Sequence, residues 1–458
     1  MKNIFLKILP RVFDLYYIKY ILNRLFEKKT IRKNLNKLHH FNVEENNIEE
    51  INKKMLLKLI KFSYRNSTYY RNVLKNKKID MKKISVDNVY DLVNKIPLLN
   101  KEIIRGNTKS ILTVNSKKKY VGKMTTGGST GEPLSFYTMG GYDKEHQEFL
   151  YKLMGYENGD LIIALDGTFI EKETLDQGIF WTEKNKSSIP YGKVALSSHY
   201  LNDDTIGEYI KYISESNVKI IRGYPSFIEK IARYILQNDI DIKSSLKGIQ
   251  LTSESFYDYQ VVLIKNAFNC NVYSQYGHAE SSVFGYTIND QMEIYCSPFY
   301  GYTEVLNSDG EHVKSGEVGE IVVTGFNNTA MPFIRYQTGD LAVFSRRENG
   351  IVVLETIYGR TQDIIYSEDD QEIRLTALIF GRHYKAFDNI IKWQIVQNEK
   401  GKVAFNIVKS INYTEIDEKE IRDNFIELSG IETNFNYVNE IDLTKRGKNK
   451  FLIQNISM

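Results

Sequence analysis

Between residues 143 and 280 short apolar runs alternate with stretches of helical periodicity, and no other feature of the chain restricts its fold as tightly. The runs lie within LIIALDG, VKIIRGYPS, LKGIQLTSESF and NCNVYSQYGHAE. Between them fall a helical segment near residues 143–155, one opened by Pro225 that carries Phe227, Ile228, Ile231 and Ile235, and one that runs to Phe268. Apolar runs this short and continuous suit strands buried on both faces, and helical crossovers between them predict a mainly parallel sheet covered by helices. Such sheets bind ligands in the loops beyond the carboxyl ends of their strands. The polar tails RGYPS, TSES and QYGHAE fall where those loops belong.

The flanking segments differ in character. Residues 50 to 110 carry Leu56, Leu57, Leu59, Ile60 and Tyr64 at helical spacing, with Pro97 as a break before a further short helix. From about residue 292, alternating strands and turn signals such as Asp309-Gly310 and Gly316-Glu317 predict a β-rich subdomain, a small barrel or a distorted sheet. Beyond YGRTQDIIYSEDDQEI lie ~95 residues of mixed strand and helix, enough for a small separate domain. The expected fold is therefore α/β, with a basic helical extension over 1–50, a large domain over 51–360 and a small α+β domain over 361–458.

Composition excludes several classes. The chain has 458 residues, 42% hydrophobic and 26% charged, enough to bury a large core in more than one domain. A net charge of +4 is too small and too dispersed for a nucleic-acid binder. Cys270 and Cys296 carry no metal-ligand spacing and are too few for a disulfide framework, which points to a reduced, cytoplasmic protein. No apolar run reaches transmembrane length, and early lysines and arginines interrupt any signal-peptide pattern. The first forty residues carry Lys2, Lys7, Arg11, Lys19, Arg24, Lys28 and Lys29 among apolar and aromatic residues, against only Asp14 and Glu27. Two readings stay open: basic amphipathic helices making peripheral contact with an anionic membrane face, or helices packed on the body of the protein.

One stretch gives up side chains altogether. MTTGGSTGEPLSFY, residues 124–137, sets Gly127, Gly128 and Gly131 among Thr125, Thr126, Ser129 and Thr130. Glycines open backbone shapes closed to other residues, and successive N–H groups in such a loop can converge on an anion, with hydroxyls as further donors. Phosphate oxygens suit that arrangement. A Walker loop is excluded because Gly131 precedes Glu132 and Pro133 instead of Lys-Ser/Thr. A dinucleotide fingerprint is excluded because a strand, not a helix, follows Pro133. A plain glycine-rich hairpin is the competing reading.

TTGGSTGEPLSFY resembles the phosphate-binding signature of the acyl and aryl adenylate-forming enzymes. Further matches follow in that family's order: RGYPSFIEKIARYI, YSQYGHAE, TGFNNTAMPFIRYQTGDLAVF, YGR at 358–360 and KRGKNKFLI. PLLNKEIIRGN, YGHAE and NNTAMPFIRYQTGD resemble most the phenylacetate–CoA ligase-like proteins of the capsule-biosynthesis CapK type. The resemblance runs from about residue 55 to the end. It implies activation of a carboxylic acid by ATP with release of pyrophosphate. The acyl-AMP would then pass its acyl group to coenzyme A, an amine or a sugar acceptor, in surface-polysaccharide synthesis. A catalytically degenerate scaffold of the same fold, docked at a membrane-associated assembly, is the alternative; retention of Glu280, Asp340, Arg360 and Lys448 argues against it.

The resemblance also implies roles. Thr125, Thr126, Gly127, Gly128, Ser129, Thr130 and Gly131 would wrap phosphates. Tyr276 beside Gly277 would stack on adenine, Asp340 would accept from the ribose hydroxyls, and Arg360 would reach ribose or phosphate. Glu280 would bind Mg²⁺, which neutralises phosphate charge. Lys448, on a mobile C-terminal domain, would bridge carboxylate and α-phosphate and then withdraw; the alternative is a solvated basic tail. His278 would act on a proton in acyl transfer or serve as a structural histidine. Tyr224-Pro225-Ser226, Thr252-Ser253-Glu254 and the residues around Tyr273 to Gly277 would line the acid pocket. Two departures stand out: Gln362 occupies the place of an acidic hinge residue, and Glu132 and Leu134 replace a lysine near the glycine-rich loop.

Overall fold

A computed structural model describes residues 29, 31–33, 35, 48–118, 120–125, 134–139, 144–242, 245–254, 256, 258–288, 292–360, 364–375, 378, 385–441 and 452–456. Four helices open the described chain: α1 (Ile48–Asn66), α2 (Thr68–Asn76), α3 (Val89–Val93) and α4 (Lys101–Ile111). In α1 the buried positions Ile48, Asn52, Leu56, Leu59, Ile60 and Ser63 form one stripe at helical spacing. Ser67 caps α2 by accepting from the Tyr70 amide, and Asn100 caps α4 by accepting from Ile103. A hairpin of β1 (Val121–Thr125) and β2 (Ser135–Met139) follows, its strands paired antiparallel from Val121↔Met139 to Thr125↔Ser135. Residues 126–133, the glycine-rich core of the motif, lie outside the described residues.

Next come α5 (Lys144–Leu153), β3 (Leu161–Asp166), α6 (Lys172–Leu175), β4 (Trp181–Glu183), β5 (Val194–Ser197), α7 (Ile206–Glu215), β6 (Val218–Gly223), α8 (Pro225–Gln237), β7 (Gly248–Thr252), α9 (Asp258–Phe268) and β8 (Val272–Gly277). Strands β5, β3, β6, β7 and β8 lie side by side and parallel, with β4 antiparallel at the edge. The parallel α/β reading of this region therefore holds. Because β5 lies on one side of β3 and β6 on the other, the strand order reverses at β3, and the loops after β3 and β6 flank a switch point. Gly223 permits the close approach there: a Cβ on it would meet the Leu165 carbonyl oxygen at 2.7 Å.

The β-rich region is neither a barrel nor a separate sheet. Strands β9 (Phe284–Tyr286), β10 (Ile294–Cys296), β11 (Gly301–Leu306), β12 (Val318–Gly325), β13 (Tyr336–Glu348) and β14 (Ile351–Arg360) continue the same sheet antiparallel. The result is one 12-stranded sheet of order β11-β12-β13-β14-β10-β9-β8-β7-β6-β3-β5-β4. Residues of α7, α8 and α9 cover the parallel half, while those of α1 to α4 pack with Val323, Tyr336 and Leu354 of the antiparallel half. Phe149 and Leu150 of α5 span the junction, meeting Ile162 and Ile220 on one side and Phe284 and Val353 on the other. Ile31 and Leu35 are buried in that same cluster, and Arg32 lies 3.5 Å from Glu145, so this part of the N-terminal extension packs on the body of the protein. Residues 1–28 lie outside the described residues.

Short strands β15 (Ile364–Tyr366) and β16 (Glu372–Arg374) pair with each other. A second sheet of order β19-β18-β17-β20 is built from β17 (Ile390–Glu399), β18 (Lys402–Lys409), β19 (Glu432–Tyr437) and β20 (Leu452–Gln454). Helix α10 (Glu415–Ser429) crosses from β18 to β19, opened by a Thr414/Asp417 capping box and closed by Gly430 at φ 64°. Ile395, Phe405, Ile407, Ile421, Phe425 and Leu452 form its own apolar core. Among the described residues, no helix is long and apolar enough to cross a membrane.

Candidate active site

The parallel-to-antiparallel junction brings two distant sequence motifs together. Strand β8 ends in Tyr276-Gly277, and the loop His278-Ala279-Glu280-Ser281-Ser282 leads back to antiparallel β9. On the other side, β13 opens with Tyr336-Gln337-Thr338-Gly339-Asp340. The register against β12 shifts across this stretch, from Val322↔Gln337 to Glu320↔Leu341, which marks a bulge at residues 338–340. Two hydrogen bonds cross between the motifs: the Tyr276 hydroxyl donates to Asp340 Oδ2 at 2.7 Å, and the Tyr336 hydroxyl donates to Glu280 Oε1 at 2.6 Å.

Asp340 is more than a turn residue. The Thr338 hydroxyl receives the Asp340 amide at 3.0 Å and donates to the Ile321 carbonyl at 2.7 Å. The Gly339 amide donates to Glu320 Oε1 at 3.1 Å, at a φ of 78° that glycine adopts without strain. Together these contacts fix the direction in which the Asp340 carboxylate points. Arg360 stands directly opposite Asp340 in the β13–β14 ladder. Burial, and then the Asp340 charge, hold the Tyr276 phenol well above its ordinary range, so it acts as a donor and not as a phenolate.

Glu280 is buried, not a surface carboxylate. Its Oε2 lies 3.2 Å from His278 Nδ1. Burial alone would raise its carboxyl; His278 and the Tyr336 hydroxyl outweigh that and bring it from 4.5 down to about 2. Both ring nitrogens of His278 are shielded from solvent, and beyond the Glu280 contact neither makes a hydrogen bond to another described residue. The imidazole meets Tyr276 and Tyr336 edge-on, at 6.5 Å and 6.0 Å between centroids. Tyr276, His278, Glu280, Tyr336 and Asp340 thus form one connected cluster.

Glycines make room for it. A Cβ on Gly325 would fall 2.6 Å from Ser282 Cα, and one on Gly301 would fall 2.4 Å from the Ser282 carbonyl oxygen. The loop that carries Glu280 lies directly on the backbones of β11 and β12.

Ser253 and Glu254 follow β7 and serve a neighbouring feature. Glu254 Oε2 accepts from the Ser226 amide at 3.2 Å and from the Ser226 hydroxyl at 2.8 Å, closing the first turn of α8. Thr252 donates to Gln275 Oε1 at 3.0 Å, linking that corner to β8. Ser253 takes a positive φ of 71° at the turn between them. Thr125 is the last residue of β1. Thr126, Gly127, Gly128, Ser129, Thr130, Gly131 and Lys448 lie outside the described residues, as do the Arg360 side chain and Gln362.

Three residues matter here that motif reading left without a role. Tyr336 holds Glu280, and its place in the same motif, four residues before Asp340, was the signal that could have found it. Buried Arg335 at the head of the same motif reaches Glu304 through Nε at 3.2 Å and Nη2 at 3.0 Å, and donates from Nη1 to the Asn94 and Ile96 carbonyls at 2.9 and 2.8 Å. Its task is to fasten the N-terminal helices to β11. Asn328 donates to the Tyr137 carbonyl at 2.9 Å, which ties the glycine-rich hairpin to the segment before β13.

Among the described residues, no cluster of three or more His, Cys, Asp or Glu could hold a metal alone. Mg²⁺ typically takes one or two carboxylates plus substrate phosphates, so a single buried carboxylate suits it in kind. Glu280 could give an oxygen to Mg²⁺ only by sharing it with His278 or Tyr336.

The fold is that of the adenylate-forming ligases. A crystal structure of 2-hydroxyisobutyryl-CoA ligase in the postadenylation state, in complex with 2-HIB-AMP, superposes with a TM-score of 0.65 at 16% identity over 88% of each chain. The same enzyme with 2-HIB-AMP and CoA in its thioesterification state gives 0.55 at 17% identity over 89% of each chain. Within that class the chain resembles the CapK type: it is 28% identical to Protein CapK of Staphylococcus aureus over 436 residues, 90% of each sequence. Residues 365–455 match the family profile of the CapK C-terminal domain. The family resemblance read from the motifs, and the α/β fold with a separate C-terminal sheet, are borne out.

Proposed function

We propose that this chain activates a carboxylic acid with ATP, releasing pyrophosphate, and passes the acyl group of the acyl-AMP to a thiol, amine or sugar acceptor. The observation that carries this reading is the Tyr276–Asp340 bond, a hydroxyl–carboxylate pair beside a buried Glu280 at the carboxyl end of the parallel strands, which supports nucleoside binding there. A carboxylate with its direction fixed by Thr338 and Gly339 suits paired ribose hydroxyls, since two oxygens can each accept. Tyr276 and Gly277 would flank the base, and Arg360, opposite Asp340, would reach ribose or phosphate.

The Thr125–Gly131 stretch would grip the phosphates through amides and hydroxyls, with Asn328 holding its hairpin in place. Lys448 would bring a positive charge to the two anions that must meet, the acid and the α-phosphate. Glu280 would hold Mg²⁺, which when bound neutralises phosphate charge. His278 would keep Glu280 ionised and take or give a proton during transfer. The acid would lie at the corner made by Tyr224, Ser253 and Glu254. The relatives' CoA and CapK names favour coenzyme A and surface-polysaccharide synthesis as the setting.

Acid-dependent ATP–pyrophosphate exchange, with mass spectrometry for a trapped acyl-AMP, tests the reading. Exchange with at least one acid, lost in Asp340→Ala and Glu280→Ala, is the expected result. A folded protein that shows no exchange with any aliphatic, aryl, hydroxy or amino acid would instead support a non-catalytic scaffold.

A further inference from the structure

Away from the nucleotide cluster, the two lobes meet through charged groups on α8 and the small sheet. Lys392, on β17 of the small sheet, is partly buried and places its Nζ 5.5 Å from the centroid of Phe227, in the first turn of α8. Phe227 is buried in the large lobe, next to Ser226 and its partner Glu254. Two helix turns' worth of α8 also carry Glu229, a buried carboxylate that accepts from Arg233 Nε at 2.9 Å and from Gln260 Nε2 at 2.5 Å. A second contact reaches α8 from the small lobe: Lys230 Nζ lies 3.5 Å from Glu440 and 3.0 Å from Asp203.

These groups are matched in sign. Glu229, Glu440 and Glu254 act on Lys392 as attractive charges, and Lys230 as a repulsive one. Burial first, and then Lys230, lower the Lys392 ammonium below the ordinary lysine value. An ammonium over an aromatic face, with carboxylates near enough to act on it through space, combines a cation–π contact with longer-range charge attraction. An Arg233–Gln260 pair already satisfies Glu229 within its own lobe, so Lys392 is not needed to hold α8 together. What it does is relate one lobe to the other.

The ends of the segment that carries Lys448 bear on this. Glu440, eight residues before Lys448 in sequence, is the residue held by Lys230. Leu452, four residues after it, pairs with Ile395, three residues beyond Lys392 on β17. The first anchor therefore ties the segment to α8, and the second ties it to the strand that carries Lys392.

We infer that Lys392 is a positioning residue: it seats the small lobe on α8 in the arrangement used for acid activation, with Lys230–Glu440 as the second point of contact. The inference rests on the adenylation reading for its consequence, but the seating itself does not. Losing the charge shifts the balance between lobe arrangements and leaves the nucleotide cluster of the large lobe intact.

The test uses Lys392→Met, which keeps the stem without the charge, Lys392→Glu, and Lys392→Arg as the conservative rescue. In Met and Glu variants the maximal rate of acid-dependent exchange falls by about tenfold or more, a population shift of the size one lost charge contact produces. Affinity for AMP by calorimetry stays within about twofold, and Lys392→Arg restores most of the rate. Carbodiimide crosslinking read by mass spectrometry joins Lys230 to Glu440 in the wild type and loses that link in Lys392→Glu. Reversing the second contact, Lys230→Glu lowers exchange and Lys230→Glu with Glu440→Lys recovers it.

If Lys392→Met exchanges at the wild-type rate with the crosslink intact, the inference is wrong. If the wild type exchanges with no acid, the adenylation reading fails instead. The crosslink, together with the radius of gyration of Lys392→Glu by small-angle scattering, then decides the seating alone: loss of the link with an expanded particle supports it, and no change in either overturns it.

Discussion

The parallel and antiparallel halves of the large sheet solve different problems. In the parallel half every strand ends at the same edge, and its loops supply Tyr276, His278, Glu280, Ser253 and Glu254 almost as a consequence of topology. In the antiparallel half strand ends alternate, so position along a strand decides what reaches the site. There Tyr336, Thr338 and Asp340 occupy alternate positions of β13, and the Gly339 turn and Thr338 hydroxyl aim the last of them. Neither half holds the cluster by itself: both hydroxyl–carboxylate bonds cross the junction, one in each direction. A site shared between two kinds of sheet gains donors and acceptors from segments sixty residues apart, and it depends on the register between them.

That contrast can be broken most severely in the antiparallel half. Arg335→Met leaves Glu304 buried without its guanidinium partner, and stripping one member of a buried pair costs about 3–5 kcal/mol. Urea unfolding should show that loss, with the N-terminal helices released from β11. Gly325→Ala sets a methyl group against the Ser282 backbone, and overpacking of this kind costs about 1–3 kcal/mol. Because Ser282 lies two residues after Glu280, nucleotide affinity should fall in this variant together with stability, whereas an alanine at the half-buried Gly310 turn, away from the cluster, should leave affinity unchanged.

The junction itself is tested by Tyr336→Phe. It leaves Glu280 Oε1 without its donor, a cost of about 1–3 kcal/mol for a buried acceptor. The sign of the pH effect follows from the lowered Glu280 carboxyl. Its folded value lies near 2, below 4.5, so its contribution to stability is fully present above about pH 4.5 and is lost as pH falls toward 2. Acid titration of unfolding should show that loss in the wild type and a shallower one in Glu280→Gln. The smallest effect belongs to the parallel half: Ser226→Ala removes one of two bonds to Glu254 and should cost about 0.5–1.5 kcal/mol by thermal unfolding.

The same division governs what the sequence revealed. Continuous apolar runs such as LIIALDG and IQLT can be read as buried parallel strands, because both faces select the same residues. Pro225 and the periodicity after it marked α8 at its first residue. The antiparallel strands were visible as strands, but not their merger into one sheet. Pairing of β10 with β14 is a long-range choice that no local pattern encodes. Asp340, Tyr276 and Glu280 stood out only through their motifs. Tyr336 passed unnoticed because one tyrosine among 32 looks like core until its hydroxyl is seen on a carboxylate. Glu254 had been expected at the ligand, and the structure gives at least one of its oxygens to the α8 turn instead.

Isothermal titration of AMP into the wild type and into Asp340→Asn tests the central claim most directly. Asn keeps the size and one acceptor oxygen but loses the charge and the second acceptor. Wild-type protein should bind AMP, and folded Asp340→Asn should bind at least about tenfold more weakly, the weight of a charged hydrogen bond to ribose. Equal affinity in the two proteins, or no uptake of AMP by either, would contradict a nucleoside site at the Tyr276–Asp340 junction.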